Sequence, residues 1–123
     1  MQKELLKLQS IYKNFGNVKV LKDVNIKINK GEVVALIGDN GAGKSTLIKV
    51  ITGVHTPTSG KVFFKEKEVN IKSVAQSRKM GIEAVYQERA LCDQQELFRN
   101  IFAGREITNS FGFLKINEQR KEA

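Results

Sequence analysis

The segment GDNGAGKST, at residues 38–46, is the feature that most constrains the fold of this chain. It places three glycines within six positions and follows them with lysine, serine and threonine. Four residues separate Gly38 from the run Gly43, Lys44 and Ser45, which is the spacing of the phosphate-binding pattern called the P-loop. A P-loop needs a buried strand before it and a helix after it, so the motif predicts an α/β fold.

The residues on both sides of the loop match those elements. The stretch EVVALI, at residues 32–37, is almost entirely apolar and predicts a strand covered on both faces, as in a parallel sheet. After the loop, Leu47, Val50 and Ile51 recur at helical spacing, and Gly53 supplies a stop. Because a predicted strand precedes the glycine loop and a predicted helix follows it, the alternative that the glycine segment is only a flexible turn is disfavoured.

Alternating apolar and polar residues predict two more strands near the N-terminus. Leu6 and Leu8 alternate with charged or polar neighbours, and so do Val24, Ile26 and Ile28, which is typical of half-buried antiparallel strands. The segment FGN, at residues 15–17 between them, predicts a turn. Later patterns predict a strand at 62–64, a helix opened by Ser73 and Gln76 and ending near Gly81, a strand at 82–87, a helix from Asp93 to Gly104, and a helical segment at 116–123.

Composition predicts a cytoplasmic globular protein. The 123 residues suit one domain, and the longest purely apolar run, residues 33–37, is far too short to cross a bilayer. The opening MQKELLKLQS does not resemble a signal peptide, and one cysteine, Cys92, fits a reducing compartment. Because the lysines are spread from Lys3 to Lys121, the formal charge of +8 indicates a solvated surface, and no nucleic-acid partner is expected.

A polyphosphate ligand explains each residue type in the glycine segment. Backbone N–H groups surround an anion only where the chain bends tightly without side chains in the way, and the next helix adds donors and a positive dipole end. Lys44 supplies a charge for the β and γ phosphates, Ser45 a hydroxyl for Mg²⁺, and Thr46 a hydrogen bond to phosphate. The predicted nucleotide-binding residues here are Gly38, Asp39, Asn40, Gly41, Ala42, Gly43, Lys44, Ser45 and Thr46.

A family resemblance starts upstream of this loop. Residues 12–62, YKNFGNVKVLKDVNIKINKGEVVALIGDNGAGKSTLIKVITGVHTPTSGKV, are similar to the opening of an ATP-binding cassette, the motor domain of ABC transporters. The resemblance covers nearly all of the chain. It implies a P-loop NTPase-like α/β fragment, with an antiparallel β subdomain and an incomplete parallel sheet with helices. It also implies a nucleotide-binding core over about residues 1–87 and the start of a helical subdomain over about 88–123.

The same resemblance assigns two site residues outside the loop and two ligands, ATP and Mg²⁺. Phe15 falls where the family places an aromatic ring that stacks on adenine, although it could instead pack under the turn. Gln87, at the end of IEAVYQ, matches a glutamine whose amide oxygen reaches Mg²⁺ or the attacking water, although a lone glutamine after a strand is otherwise a surface residue. The implied metal ligands are therefore Ser45 and Gln87.

The segments IEAVYQERALCD (residues 82–93) and NIFAGREI (residues 100–107) most resemble the ATP-binding subunits of bacterial importers of the ribose, galactose, xylose and fructose group. That resemblance implies an ATP-binding subunit that couples ATP binding and hydrolysis to carbohydrate import. Its implied partners are a transmembrane permease subunit and a second ATP-binding cassette in a dimer. The implied location is peripheral, on the inner face of the cell membrane.

Three family features that hydrolysis requires are absent from these residues. The sequence contains no LSGGQ-type signature, no apolar strand ending in Asp-Glu, and no switch histidine, since His55 sits in the turn after the P-loop helix, where we expect it to face solvent. We therefore expect a truncated cassette that binds ATP and hydrolyses it poorly, assign no catalytic residue, and leave open whether the chain is an enzyme. Without its neighbour, the strand at 33–37 is expected to present an unpaired apolar edge.

Four other functions stay open to different degrees. A GTPase would carry Asn-Lys-x-Asp, but the nearest match, at residues 29–32, precedes the loop and lacks the aspartate. A small-molecule kinase would not explain Phe15 or the region of Gln87. A cassette acting in DNA repair or translation would share this N-terminal half, and the lysine excess is its support. The alternative that is not an enzyme is a nucleotide-binding interaction module without hydrolytic activity.

Overall fold

The fold is seen in a computed structural model that describes residues 3–39, 41–86, 99, 103 and 114–122. The chain divides into two compact units, residues 1–84 and residues 85–123. No helix in the described ranges has the length and apolar character that a bilayer crossing requires. The first unit contains β1 (Glu4–Phe15), β2 (Val18–Asn29), α1 (Lys44–Ile51), β3 (Ser59–Phe64), β4 (Lys67–Val69) and α2 (Val74–Lys79). The second contains α3 (Ile116–Glu122).

The four strands form one antiparallel sheet in the order β2-β1-β3-β4. Leu8 is opposite Ile26 on one side and Val62 on the other, so the apolar positions of three strands share one face. Gly16, with φ of 57°, permits the tight turn between β1 and β2. The predicted antiparallel pair, the turn between its strands and the strand at 62–64 are thus confirmed.

Helix α1 closes the core of this unit. Its buried residues Leu47 and Val50 are three positions apart, so they point to the same side of the helix. Burying each such aliphatic side chain stabilises the fold by about 1.5–3 kcal/mol. The buried apolar cluster consists of Leu6, Leu8, Ile11, Leu21, Leu47, Val50, Val62 and Ile71.

The predicted start and end of α2 are both confirmed. Ser73 Oγ accepts a hydrogen bond from the backbone N–H of Gln76 at 3.1 Å, which caps the helix. Gly81, with φ of 92°, follows the C-cap residue Met80 in the left-handed conformation that ends many helices. The hydroxyl of Ser77 donates to the Thr52 carbonyl oxygen at 2.9 Å, and this bond ties α2 to the end of α1.

Two predicted strands are wrong. Residues 32–37 and 82–86 have no regular secondary structure, and Val33 and Ile37 are 97% and 90% exposed. A central parallel strand exists only through hydrogen bonds to neighbours on both sides, and in the described ranges the four strands pair only with one another. The antiparallel part of the α/β prediction is therefore present, whereas these residues form neither the parallel sheet nor the expected sheet edge at 33–37.

In the second unit, α3 confirms the helical segment predicted for 116–123. Glu118 lies in its first turn, and Arg120 and Lys121 lie in its last. Negative charge near the N-terminus and positive charge near the C-terminus both interact favourably with the helix dipole. Lys115 Nζ is 3.1 Å from Glu118 Oε1. The helix predicted from Asp93 to Gly104 falls almost wholly outside the described residues.

Candidate functional site

The glycine loop bends sharply and packs against β2. Gly41 and Gly43 have φ of 88° and 91°, a left-handed conformation that glycine adopts without steric cost. The Ala42 N–H donates to the Asp39 carbonyl oxygen at 3.1 Å and closes a turn. A Cβ on Gly43 would lie 2.9 Å from a methyl carbon of Leu21, so this position has no room for a side chain.

The start of α1 presents unpartnered donors. Gly43 is the N-cap residue, no side chain caps the helix, and its first turn contains no acidic residue. The N–H of Leu47 donates to the Gly43 carbonyl oxygen at 2.9 Å and is the first to reach back along the helix. The N–H groups of Lys44, Ser45 and Thr46 therefore have no acceptor within the helix, at the positive end of its dipole.

The ammonium of Lys44 joins the two ends of the loop. Its Nζ donates to the carbonyl oxygens of Gly38 and Asp39, at 2.9 Å for the second. A lysine ammonium has three N–H donors, so one remains for a ligand. Lys44 thus brings a positive charge to the loop from the same helical turn that presents the unpartnered donors.

A concavity of about 410 Å³ lies over these groups. It brings together six of the predicted loop residues, and Gly38 and Ala42 belong to the same loop without lining it. Its donors, charge and shape fit a polyphosphate. The residues that line it are Val20, Asp39, Gly41, Gly43, Lys44, Ser45 and Thr46.

Val20 is a site residue that the sequence prediction missed. It lies on β2 and lines the concavity together with the loop. A Cβ on Gly43 would lie 3.1 Å from the Val20 carbonyl oxygen. The pairing of β1 with β2 shifts register at this point, where Lys13 is opposite Leu21 and Asn14 opposite Lys19, so alternation along the strand did not indicate Val20.

Phe15 lies at the end of β1, paired with Val18, and its side chain is 42% exposed. It does not line the concavity. The Phe15 and His55 rings form a T-shaped pair, with centroids 5.1 Å apart and planes at 73°, and Lys13 Nζ lies 5.1 Å from the Phe15 centroid. The expectation that His55 faces solvent is therefore wrong, because the residue is half-buried beside Phe15.

Two predicted site residues, Asn40 and Gln87, lie outside the described residues. Within the described ranges, no three His, Cys, Asp or Glu side chains converge in a way that could hold a metal ion. Of the two predicted Mg²⁺ ligands, only Ser45 lies within the described residues, and it lines the concavity.

Comparison with known proteins identifies the family to which this sequence is similar. Residues 21–123 match the family model described as ABC transporter. A xylose/arabinose import ATP-binding protein of Sulfolobus acidocaldarius is 48% identical over 120 residues, covering 98% of this chain and 47% of that protein. A ribose import ATP-binding protein of Caldanaerobacter subterraneus is 40% identical, covering 97% of this chain and 24% of that protein. The chain thus spans less than half the length of these relatives.

Solved structures agree with the family match. A nucleotide-free ATP-binding cassette from an ABC transporter superposes with a TM-score of 0.76 and 34% identity, covering 97% of this chain and 46% of that one. An ATP-binding cassette in its ADP conformation gives a TM-score of 0.61 and 45% identity, covering 63% of this chain and 31% of that one. Since the family model matches most of the sequence and these cassettes share its fold, the chain belongs to the ABC transporter family of ATP-binding cassettes.

Proposed function

We propose that this chain binds ATP as part of the ATP-binding subunit of a sugar importer. The observation that carries the proposal is that Lys44, in the uncapped first turn of α1, donates from its ammonium to the carbonyl oxygens of Gly38 and Asp39 at the opposite end of the loop. The relatives' names, which specify import of xylose, arabinose and ribose, supply the class of cargo.

The triphosphate would lie in the concavity over the loop. Its oxygens would accept hydrogen bonds from the N–H groups of the first helical turn and from the third donor of Lys44. Mg²⁺ would neutralise part of the phosphate charge, with the hydroxyl of Ser45 as one ligand and Gln87 as the proposed second. Thr46 would hydrogen-bond the phosphate beside it.

The base would stack on Phe15. Phe15 pairs with Val18, which lies two residues before Val20 on β2. Because Val20 borders the concavity and lies at most about 7 Å along the strand from Val18, the ring would be within reach of a nucleotide whose phosphates occupy the concavity. The ribose of a nucleotide would occupy the space between them.

Coupling to transport would depend on partners. Residues 88–123 would begin the helical subdomain that meets a transmembrane permease, and a second cassette would complete the ATP site in a dimer on the inner face of the membrane. The 123 residues contain neither the signature nor the strand ending in Asp-Glu. Hydrolysis by these residues alone would therefore be poor.

One observation favours a second role, that of a nucleotide-binding interaction module without hydrolytic activity. Val33 and Ile37 are almost fully exposed in a segment rich in residues that favour strands. Such a segment offers apolar surface and free backbone groups to another polypeptide. This role keeps the same nucleotide site and differs only in lacking turnover.

Binding of a fluorescent ATP analogue tests the proposal. Lys44→Ala should weaken binding at least about thirtyfold, because truncating one partner of a buried charge pair costs about 2–5 kcal/mol. Lys44→Arg should restore little, since a planar fork does not replace a compact ammonium. Lys79→Ala, at an exposed lysine at the end of α2, is the matched control and should bind normally. Equal affinity of wild type and Lys44→Ala would refute the site.

A further inference from the structure

The ring of Phe15 is restrained by groups from two separate parts of the chain. Lys13 Nζ lies over one face, 5.1 Å from the centroid, which is cation–π geometry. The His55 ring meets Phe15 edge to face, also at 5.1 Å. Because the Phe15 side chain remains 42% exposed, part of its surface is still open to a ligand.

Both restraining residues are themselves fixed. The Lys13 ammonium donates to the Thr56 carbonyl oxygen at 2.7 Å, and the backbone N–H of His55 donates to the Lys49 carbonyl oxygen at 3.0 Å. The loop after α1 is also bonded to β1, since the Asn14 N–H donates to Thr58 Oγ1 at 2.9 Å. An exposed aromatic ring at a hairpin turn is thereby held in one orientation.

We infer that Lys13 and His55 are positioning residues for the nucleotide base, acting through the ring of Phe15. The inference rests on the proposed function, in which Phe15 stacks on the base. A ring that is already fixed loses less rotational freedom when a base stacks on it, so a larger part of the stacking energy appears as affinity. The loop after α1, which the P-loop motif does not include, would thus contribute to recognition of the base and not of the phosphates.

Comparison of two ligands separates this role from a general structural one. ATP uses both the base and the phosphate sites, whereas inorganic tripolyphosphate uses only the phosphate site. Lys13→Met and His55→Ala should each weaken ATP binding by about three- to tenfold and leave tripolyphosphate binding unchanged. Lys7→Met is a matched control, because Lys7 Nζ makes the same kind of contact, 5.4 Å from the centroid of Phe63, away from the site.

A double-mutant cycle completes the test by calorimetric titration. In a Phe15→Ala background, Lys13→Met and His55→Ala should cause no further loss of ATP affinity, because the ring they hold is gone. Unchanged ATP affinity in the single variants, or an equal loss of both ligands, would overturn the inference while leaving the phosphate site intact. If the wild-type chain bound neither ATP nor tripolyphosphate, that result would instead refute the proposed function, and this inference with it.

Discussion

Gly43 and Leu21 approach each other so closely that a Cβ on the glycine would lie 2.9 Å from a methyl carbon of the leucine. Leu21 is buried in the core, and the Val20 carbonyl oxygen would be only 3.1 Å away on the same side. The phosphate loop is therefore seated directly on β2. The packing of the sheet and the shape of the anion site depend on the same glycine.

This contact predicts different costs for two glycines with nearly the same φ. Gly41→Ala should lower the free energy of unfolding by about 1–2 kcal/mol, because its left-handed backbone penalises a side chain and nothing lies within 4 Å. Gly43→Ala should lower it by about 2–4 kcal/mol, since overpacking adds to the same penalty. Urea unfolding measures both values. Equal losses would mean that the contact with Leu21 does not matter.

The position of Ser45 at the concavity predicts a metal-dependent effect. Ser45→Ala should weaken ATP binding in the presence of Mg²⁺ by about tenfold, because one metal ligand is lost. With EDTA present, wild type and variant should bind ATP about equally. Ser59→Ala, in β3, is a control that should match wild type under both conditions. A loss of the same size in EDTA would contradict the assignment to the metal.

The exposed apolar segment at 32–37 predicts self-association. Val33→Lys should lower the fraction of associated protein at a given concentration, measured by sedimentation velocity, because it places a charge in the exposed stretch. The free energy of unfolding should change by less than about 0.5 kcal/mol, since the Val33 side chain is 97% exposed. Ile48→Lys adds the same charge on α1 and should leave association unchanged; an equal decrease would indicate a general charge effect.

Local patterns predicted the elements that local interactions define. The alternation around Leu8 and Ile26 predicted an antiparallel pair, because burial of one face determines the register. The serine cap at Ser73 and the glycine after α2 predicted both ends of that helix, since the groups that cap a helix lie within a few residues of it.

Prediction failed where an element depends on distant partners. The run at 32–37 has strand propensity, but a central strand also needs hydrogen-bonded neighbours, and propensity does not supply them. For the same reason nothing in the sequence placed His55 beside Phe15, because the contact joins residues forty positions apart through the packing of a loop on β1. Identities of the loop residues followed from the motif, whereas Val20 entered the site only through tertiary packing.

The internal hydrogen bonds of Lys44 have a consequence for the kinetics of the site. Two of its three donors already hold the loop in a shape suited to an anion, so the entropy of ordering that loop is lost when the chain folds and not when a nucleotide arrives. Capture then requires no slow rearrangement of the backbone. The rate of association should be set by diffusion and by the attraction between opposite charges, and salt should slow it by screening that attraction.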